Sequence, residues 1–127
     1  MDGSGPVPGV LEVSSRVKST AAFRNYNPSS GTVEFVYDVQ TNTFVVGKPK
    51  PYMNLTGSPH QKLAESIGAE ATHVVGGMFR RGPNGEIILN EHSGHFWQNW
   101  DKIPSVREKL KQFLEKMTSQ KVIMEEF

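Results

Sequence analysis

Cysteine is absent from the 127-residue chain, which excludes disulfides and thiolate zinc sites. A fold without thiols holds in reducing and oxidising surroundings alike. That suits a domain that passes between compartments, although chance explains the absence equally well. No apolar run approaches the roughly 20 residues that span a bilayer as a helix, so no membrane association is expected. The first nine residues, MDGSGPVPG, have neither the basic start nor the apolar segment of a secretory signal. Their three Gly and two Pro read as a disordered linker or expression remnant, which leaves residues 10–127 as one domain. The GxGxxG, P-loop and GxSxG patterns are missing, so nucleotide-cofactor enzymes and α/β-hydrolases are poor candidates and no cofactor is expected. HExxH and HxxEH, the familiar metalloprotease spacings, are missing too. A strong charge of either sign is also lacking. The net charge is +1 and the pI about 8.0, below the bulk basicity of many nucleic-acid binders. Between Arg16 and Lys62, however, six basic residues face only Glu34 and Asp38. One face could be basic; a mixed solvated surface is the plainer reading.

What is present is a series of short periodic segments. Val10 to Tyr26 fits neither the helical nor the strand period, so a short helix and an irregular segment are both open. Thr32–Val39 and Thr43–Gly47 read as a β-hairpin, with Val33, Phe35 and Tyr37 alternating and Gln40-Thr41-Asn42 as the turn. Lys48-Pro49-Lys50-Pro51 ends the return strand. Ser58-Pro59 opens a helix that Gly68 closes, with His60, Leu63, Ala64 and Ile67 on one face. His60 is then either a satisfied core histidine or a site histidine. Thr72–Arg81 and Glu86–Glu91 form a second hairpin around the turn Gly82-Pro83-Asn84-Gly85. This hairpin places Gly76 or Gly77 near Asn90 and Glu91. Paired glycines in a strand mark a bulge or a place where another group approaches the backbone, here to leave room for a substrate. Pro104–Thr118 is the clearest helix, with Val106, Leu110, Phe113, Leu114 and Met117 as its buried stripe, and Lys121–Phe127 adds a final strand. The order predicts an α+β domain in which two helices cover one side of an antiparallel sheet.

One stretch concentrates the chemistry. Asn90 to Trp100, NEHSGHFWQNW, holds Glu91, His92, Ser93, Gly94, His95, Trp97 and Trp100 directly after the apolar run Ile87-Ile88-Leu89. A strand end can present such groups rigidly. Cleaving RNA without a metal needs a base for the 2′-hydroxyl, an acid for the leaving 5′-oxygen and a cation or donor for the charge on phosphorus. Histidine suits the proton transfers, glutamate can act as base or hold a histidine tautomer, arginine suits phosphate, and tryptophan stacks on unpaired bases. Two other readings stand beside it. His92 and His95 with Glu91 or His73 could ligate a metal for a metal-dependent hydrolase. Alternatively the block is non-enzymatic, with Trp97 and Trp100 packing at a core edge or anchoring a protein partner and His92 exposed.

Several segments together resemble the C-terminal toxin domains of bacterial polymorphic and contact-dependent systems, and in particular polymorphic toxin type 43. They are the hairpin EFVYDVQTNTFVVG (Glu34–Gly47), the helix SPHQKLAESIG (Ser58–Gly68), HVVGGMF (His73–Phe79), the glycine turn and NEHSGHFWQNW (Asn90–Trp100). The resemblance covers most of the chain after about Thr32. It implies a compact α+β domain of barnase/EndoU-like ribonuclease architecture, cleavage of RNA (tRNA among the candidates) in the cytoplasm of a target cell, and a cognate immunity protein. It also implies secretion or delivery as part of a larger toxin, and a monomer when free. Carried onto this sequence, it points to His73, Arg80, Glu91, Ser93 and His95 as catalytic candidates. Lys48, His60, Arg81 and Trp97 then line the substrate groove. The modest net charge departs from the strongly basic character of many ribonuclease toxins.

Overall fold

The protein is described from a computed structural model over residues 10–15, 20–28, 31–47, 59–92 and 96–125. Within these residues the elements follow as β1 (Val10–Val13), α1 (Thr20–Arg24), β2 (Val33–Asp38), β3 (Thr43–Gly47), α2 (Pro59–Ser66), β4 (Val74–Arg81), β5 (Ile87–Asn90), α3 (Asn99–Lys102), α4 (Val106–Thr118) and β6 (Val122–Met124). A single 3-10 turn, Ala71–His73, leads into β4. The strands form one sheet in the order β1-β3-β2-β4-β5-β6. All neighbours are antiparallel except β5 and β6, which run parallel. The architecture is α+β, as the order of segments predicts.

Both predicted hairpins form, and their turns carry the expected residues. Asn42 in the first turn and Gly85 in the second take positive φ, at 52° and 85°. Helix α2 ends as Gly68 predicts. Gly68 has a φ of 66°, and the Ala69 N–H reaches back to the Ala64 carbonyl at 3.1 Å, closing a Schellman-type cap. The predicted N-cap, Ser58, lies outside the described residues, as do the linker residues 1–9. Helix α4 starts two residues later than Pro104 suggests, because Ser105 adopts a left-handed φ of 54° before the first turn. The ambiguous N-terminal region resolves into β1 and α1, and the C-terminal segment into β6.

One expectation is overturned. Helices cover both faces of the sheet, not one. Phe35, Tyr37, Phe44, Val46, Val75, Phe79, Ile87 and Leu89 point to a core completed by Phe23, Trp100, Val106, Leu110 and Leu114 from α1, α3 and α4. Val36, Val45 and Val74, which alternate with them, pack against Leu63 and Ala64 of α2 and against Phe96. The physical reason is visible in β3, which is buried at all five positions. A strand apolar on both faces needs cover on both. Deep burial and the charge of Asp38 together push the Tyr37 phenol up to about 12, and its hydroxyl donates to Asn42 Oδ1 across the first turn.

Candidate functional site

The Asn90–Trp100 segment is built around the unfinished edge of β4. Strand β5 pairs with β4 only from Met78 to Arg81, so on that side Val74 to Gly77 have no strand beside them among the described residues. A buried carbonyl needs a donor. Side chains of α3 supply them: Asn99 Nδ2 donates to the Ala71 and Val74 carbonyls, each at 2.7 Å, and Trp100 Nε1 donates to the Gly76 carbonyl at 2.8 Å. Trp100 is 2% exposed and therefore a core residue, not a stacking platform. Phe96 is buried on the α2 face while Trp97, its neighbour, is 58% exposed. The segment thus has one aromatic ring anchored on each face of the sheet and a third turned to solvent.

Its two ends are joined by a residue that the sequence did not single out. Arg107, in the first turn of α4, grips Glu91 with a two-pronged pair, Nε to Oε2 and Nη2 to Oε1, the latter at 2.9 Å. The same guanidinium donates to the Trp100 carbonyl and to Asp101 Oδ1, each at 3.2 Å, and lies 5.7 Å from the Trp100 ring centroid. Its hydrogen bonds to the Glu91 carboxylate raise the Arg107 pKa above its ordinary value. Asn90 secures the start of the segment, its Oδ1 accepting from the backbone N–H groups of Met78 at 3.2 Å and His92 at 2.9 Å. One signal for Arg107 was legible in the sequence: a cation beside, not within, the apolar stripe of α4.

The other candidate residues are dispersed. His92 is exposed on this loop. Ser93 and His95, and Lys48 on the Lys48–Pro51 stretch, lie outside the described residues. His73 ends the 3-10 turn, with Nδ1 3.6 Å from Glu70 Oε2 and without a hydrogen bond. Arg80 sits seven residues further along β4, about 23 Å at the rise of a strand, and pairs with Glu125 at 2.7 Å. Side chains cannot span that interval to share one phosphate, so His73 and Arg80 are not brought together. His60 is buried, and its Nε2 lies 2.8 Å from the Gly77 carbonyl. A carbonyl only accepts, so Nε2 carries the proton.

Arg81 is a fastener within the fold. Its Nε donates to the Tyr26 carbonyl at 2.8 Å, Nη1 to the Gly85 carbonyl at 3.0 Å and Gln120 Oε1 at 2.8 Å, and Nη2 to the Phe23 carbonyl. The guanidinium lies over the Phe23 and Phe79 rings, and desolvation lowers its pKa. Lysine has one compact ammonium and cannot serve acceptors spread around a planar fork. Arg81→Lys is expected to destabilise the protein by about 2 kcal/mol, because the partly buried Tyr26 and Phe23 carbonyls lose their donors; urea unfolding at unchanged m-value reads this loss.

The expected gap beside Gly77 is not open to a substrate. A Cβ there would lie 1.8 Å from the Asn90 backbone oxygen and 2.9 Å from Phe35 Cε2. The close approach predicted from the paired glycines is real, and the approaching group is the protein's own backbone. Among the described residues, no three His, Asp or Glu side chains converge as a metal site. None of their helices is long and apolar enough to cross a membrane.

A family model described as bacterial toxin 43 matches residues 1–109. The chain belongs to that family. No curated protein and no solved structure matches it. The toxin domain therefore carries its pinned loop within the matched region, while Leu110, Leu114 and Val122 of its core lie beyond it.

Proposed function

We propose that this toxin domain is a metal-independent endoribonuclease that acts in the cytoplasm of a target cell and is neutralised by a cognate immunity protein. The observation that carries the reading is the loop from Glu91 to Trp100. Its ends are locked by Arg107, and it turns His92 and the 58% exposed Trp97 to solvent on either side of Ser93 and His95. An exposed indole suits stacking on an unpaired base. Imidazoles beside it suit proton transfer at neutral pH. In this reading His95 protonates the leaving 5′-oxygen and Ser93 donates to the phosphoryl oxygens. Glu91, with both carboxylate oxygens held by Arg107, positions the loop.

The test is incubation of the purified domain with total RNA, with and without EDTA, beside the His95→Ala protein. The expected result is EDTA-resistant cleavage leaving 2′,3′-cyclic phosphate ends, reduced at least about 100-fold in the variant, the usual scale for loss of a general acid. Cleavage abolished by the chelator, or linear 3′-hydroxyl ends, would overturn the mechanism. The exposure of Trp97 also favours a second reading, a binding module in which this ring anchors a protein partner. Intact RNA with both proteins would turn the interpretation that way.

A further inference from the structure

A cleft of about 420 Å³ opens between the turn of the first hairpin and one flank of α4. Val39 and Asn42 form its hairpin wall, and Lys109, Gln112, Phe113 and Lys116 its helix wall. Spacings of three, four and seven residues put those four side chains on one side of the helix. The frame is fixed. The Val39 N–H donates to the His73 carbonyl at 3.0 Å, and the half-buried Phe113 ring packs 5.8 Å from the Tyr37 ring. Asn42 holds the turn at positive φ with its Oδ1 taken by the Tyr37 hydroxyl, so its Nδ2 donor is what it has to offer. Arg107, which grips Glu91, stands two residues before Lys109 and so about 200° away around the axis. The cleft and the Glu91 loop therefore lie on opposite flanks of α4.

The chemistry of this cleft is one-sided. Two ammonium groups and two carboxamides line it, without a carboxylate among the described residues. Lys109, Gln112 and Lys116 are exposed. Lys111, on the other side of α4, has Glu108 three residues before it and Glu115 four after, whereas Lys109 and Lys116 have no acidic residue at either spacing. Neither of the two forms an ion pair among the described residues. The carboxylate near the hairpin turn, Asp38, is buried and accepts from the Gln40 N–H at 2.9 Å. Two uncompensated cations two helical turns apart, about 10 Å along the axis, attract a run of negative charge.

We infer that this cleft binds the phosphate backbone of single-stranded RNA, as a contact away from the bond that is cut. The naming of RNA rests on the ribonuclease reading; the preference for an anion rests on the cleft. Lys109 and Lys116 take phosphates along the strand, Gln112 and Asn42 donate to phosphate or ribose oxygens, and a sugar or base lies against Phe113 and Val39. Two features favour a strand over an acidic protein surface. The volume falls in the range of roughly 300–1,000 Å³ that holds small ligands, which suits a nucleotide better than a flat protein face. Lysine, strongly hydrated, is depleted at protein–protein interfaces yet is a common phosphate contact. A contact on this side of α4 adds affinity and leaves the bond-breaking step to the loop.

The deciding experiment follows the fluorescence anisotropy of a short labelled oligouridylate whose 2′-hydroxyls are methylated, so that it binds without being cut. Wild type is compared with Lys109→Gln/Lys116→Gln and with Lys111→Gln/Lys121→Gln, a control of equal charge whose exposed residues lie off the cleft. Glutamine has nearly the helix propensity of lysine, so α4 is retained. The expected result is binding about fivefold weaker in the cleft variant, the scale of two exposed charge contacts. Its plot of log affinity against log salt is less steep by about 1.4, at roughly 0.7 per phosphate neutralised. With cleavable RNA the same variant raises KM by a similar factor and keeps kcat within about twofold. Equal weakening in the control, no binding by wild type, or displacement of the oligouridylate by poly-L-glutamate as readily as by unlabelled RNA would overturn the assignment. Unchanged binding and KM beside intact cleavage would overturn it and leave the ribonuclease reading standing. Binding that depends on the cleft, without cleavage of RNA by wild type, would uphold the cleft and sink that reading.

Discussion

Gly77→Ala lowers the unfolding midpoint by roughly 10 °C, on the expectation that overpacking here costs about 3 kcal/mol and that each kcal/mol moves a domain of this size by about 3–4 °C. The added methyl would meet the Asn90 backbone oxygen at 1.8 Å and the Asn90 carbonyl carbon at 2.9 Å. Neither can swing aside as a side chain does. Asn90 is fixed by its place in the β4–β5 ladder and by its two side-chain hydrogen bonds to backbone. The third close atom belongs to Phe35, a fully buried ring stacked on Phe44 and set edge-on to Trp100. Relief therefore requires the end of β5 to separate from β4, which also moves the start of the catalytic candidate loop. Gly82→Ala is the contrast. There the nearest atom is Glu86 Oε1 at 2.4 Å, the end of a flexible side chain, and a cost below about 1 kcal/mol is expected. Thermal melts followed by far-ultraviolet circular dichroism would separate the two variants. Equal midpoints would mean that Asn90 does not press on Gly77.

Replacing Arg107 by Met separates stability from activity in the opposite way. The guanidinium and the Glu91 carboxylate are 43% and 34% exposed, so their pairing is largely screened by water. Removing it is expected to cost no more than about 1 kcal/mol of folding stability, the scale of solvent-exposed ion pairs. Activity should suffer far more. Arg107 is the group that touches both ends of the loop, through Glu91 and through the Trp100 carbonyl. Release at Glu91 frees the segment that carries His92, and a displacement of about 1 Å in a reacting group costs on the order of 100-fold in rate. On the proposed ribonuclease function, RNA cleavage by Arg107→Met is expected to fall about 100-fold, with the melt little changed. A double variant with Glu91→Gln should be no worse than either single change, because both remove one interaction. Additive losses in the double variant would show that Glu91 has a separate role.

These effects also show where local pattern stops being informative. The hairpins, the C-terminal cap of α2 and the stripe of α4 are read from spacing and turn residues within a dozen positions, and the structure contains them. The placement of helices on both faces was written in Val36, Val45 and Val74. Reading it requires knowing that β2, β3 and β4 are neighbours, which is a long-range fact. The same holds for Arg107 and Glu91, sixteen residues apart, and for Arg81, which fastens Phe23 and Tyr26 more than fifty residues away. Arginines were legible as phosphate ligands by chemistry, yet the partners of Arg80, Arg81 and Arg107 are carboxylates, carbonyls and rings of the protein itself. The glycine pair was read correctly as a site of close approach, but the identity of the approaching group depended on the register of β4 against β5. His60 faces inward, where helical periodicity places it, and its Nε2 donates to the Gly77 carbonyl.

The strand order has a mechanical meaning. β6 is an edge strand held by β5 alone, β5 becomes an edge once β6 has gone, and β4 once β5 has gone. A chain drawn from its C-terminal side through a narrow channel thus gives up its strands as successive edges, each bonded to a single neighbour. Traction from the N-terminal side removes β1 easily and then meets β2, which is still clamped between β3 and β4. The same sheet resists unequally in the two directions, and no disulfide reinforces either one. Threading this domain from its C-terminal side demands less force than threading it from the other.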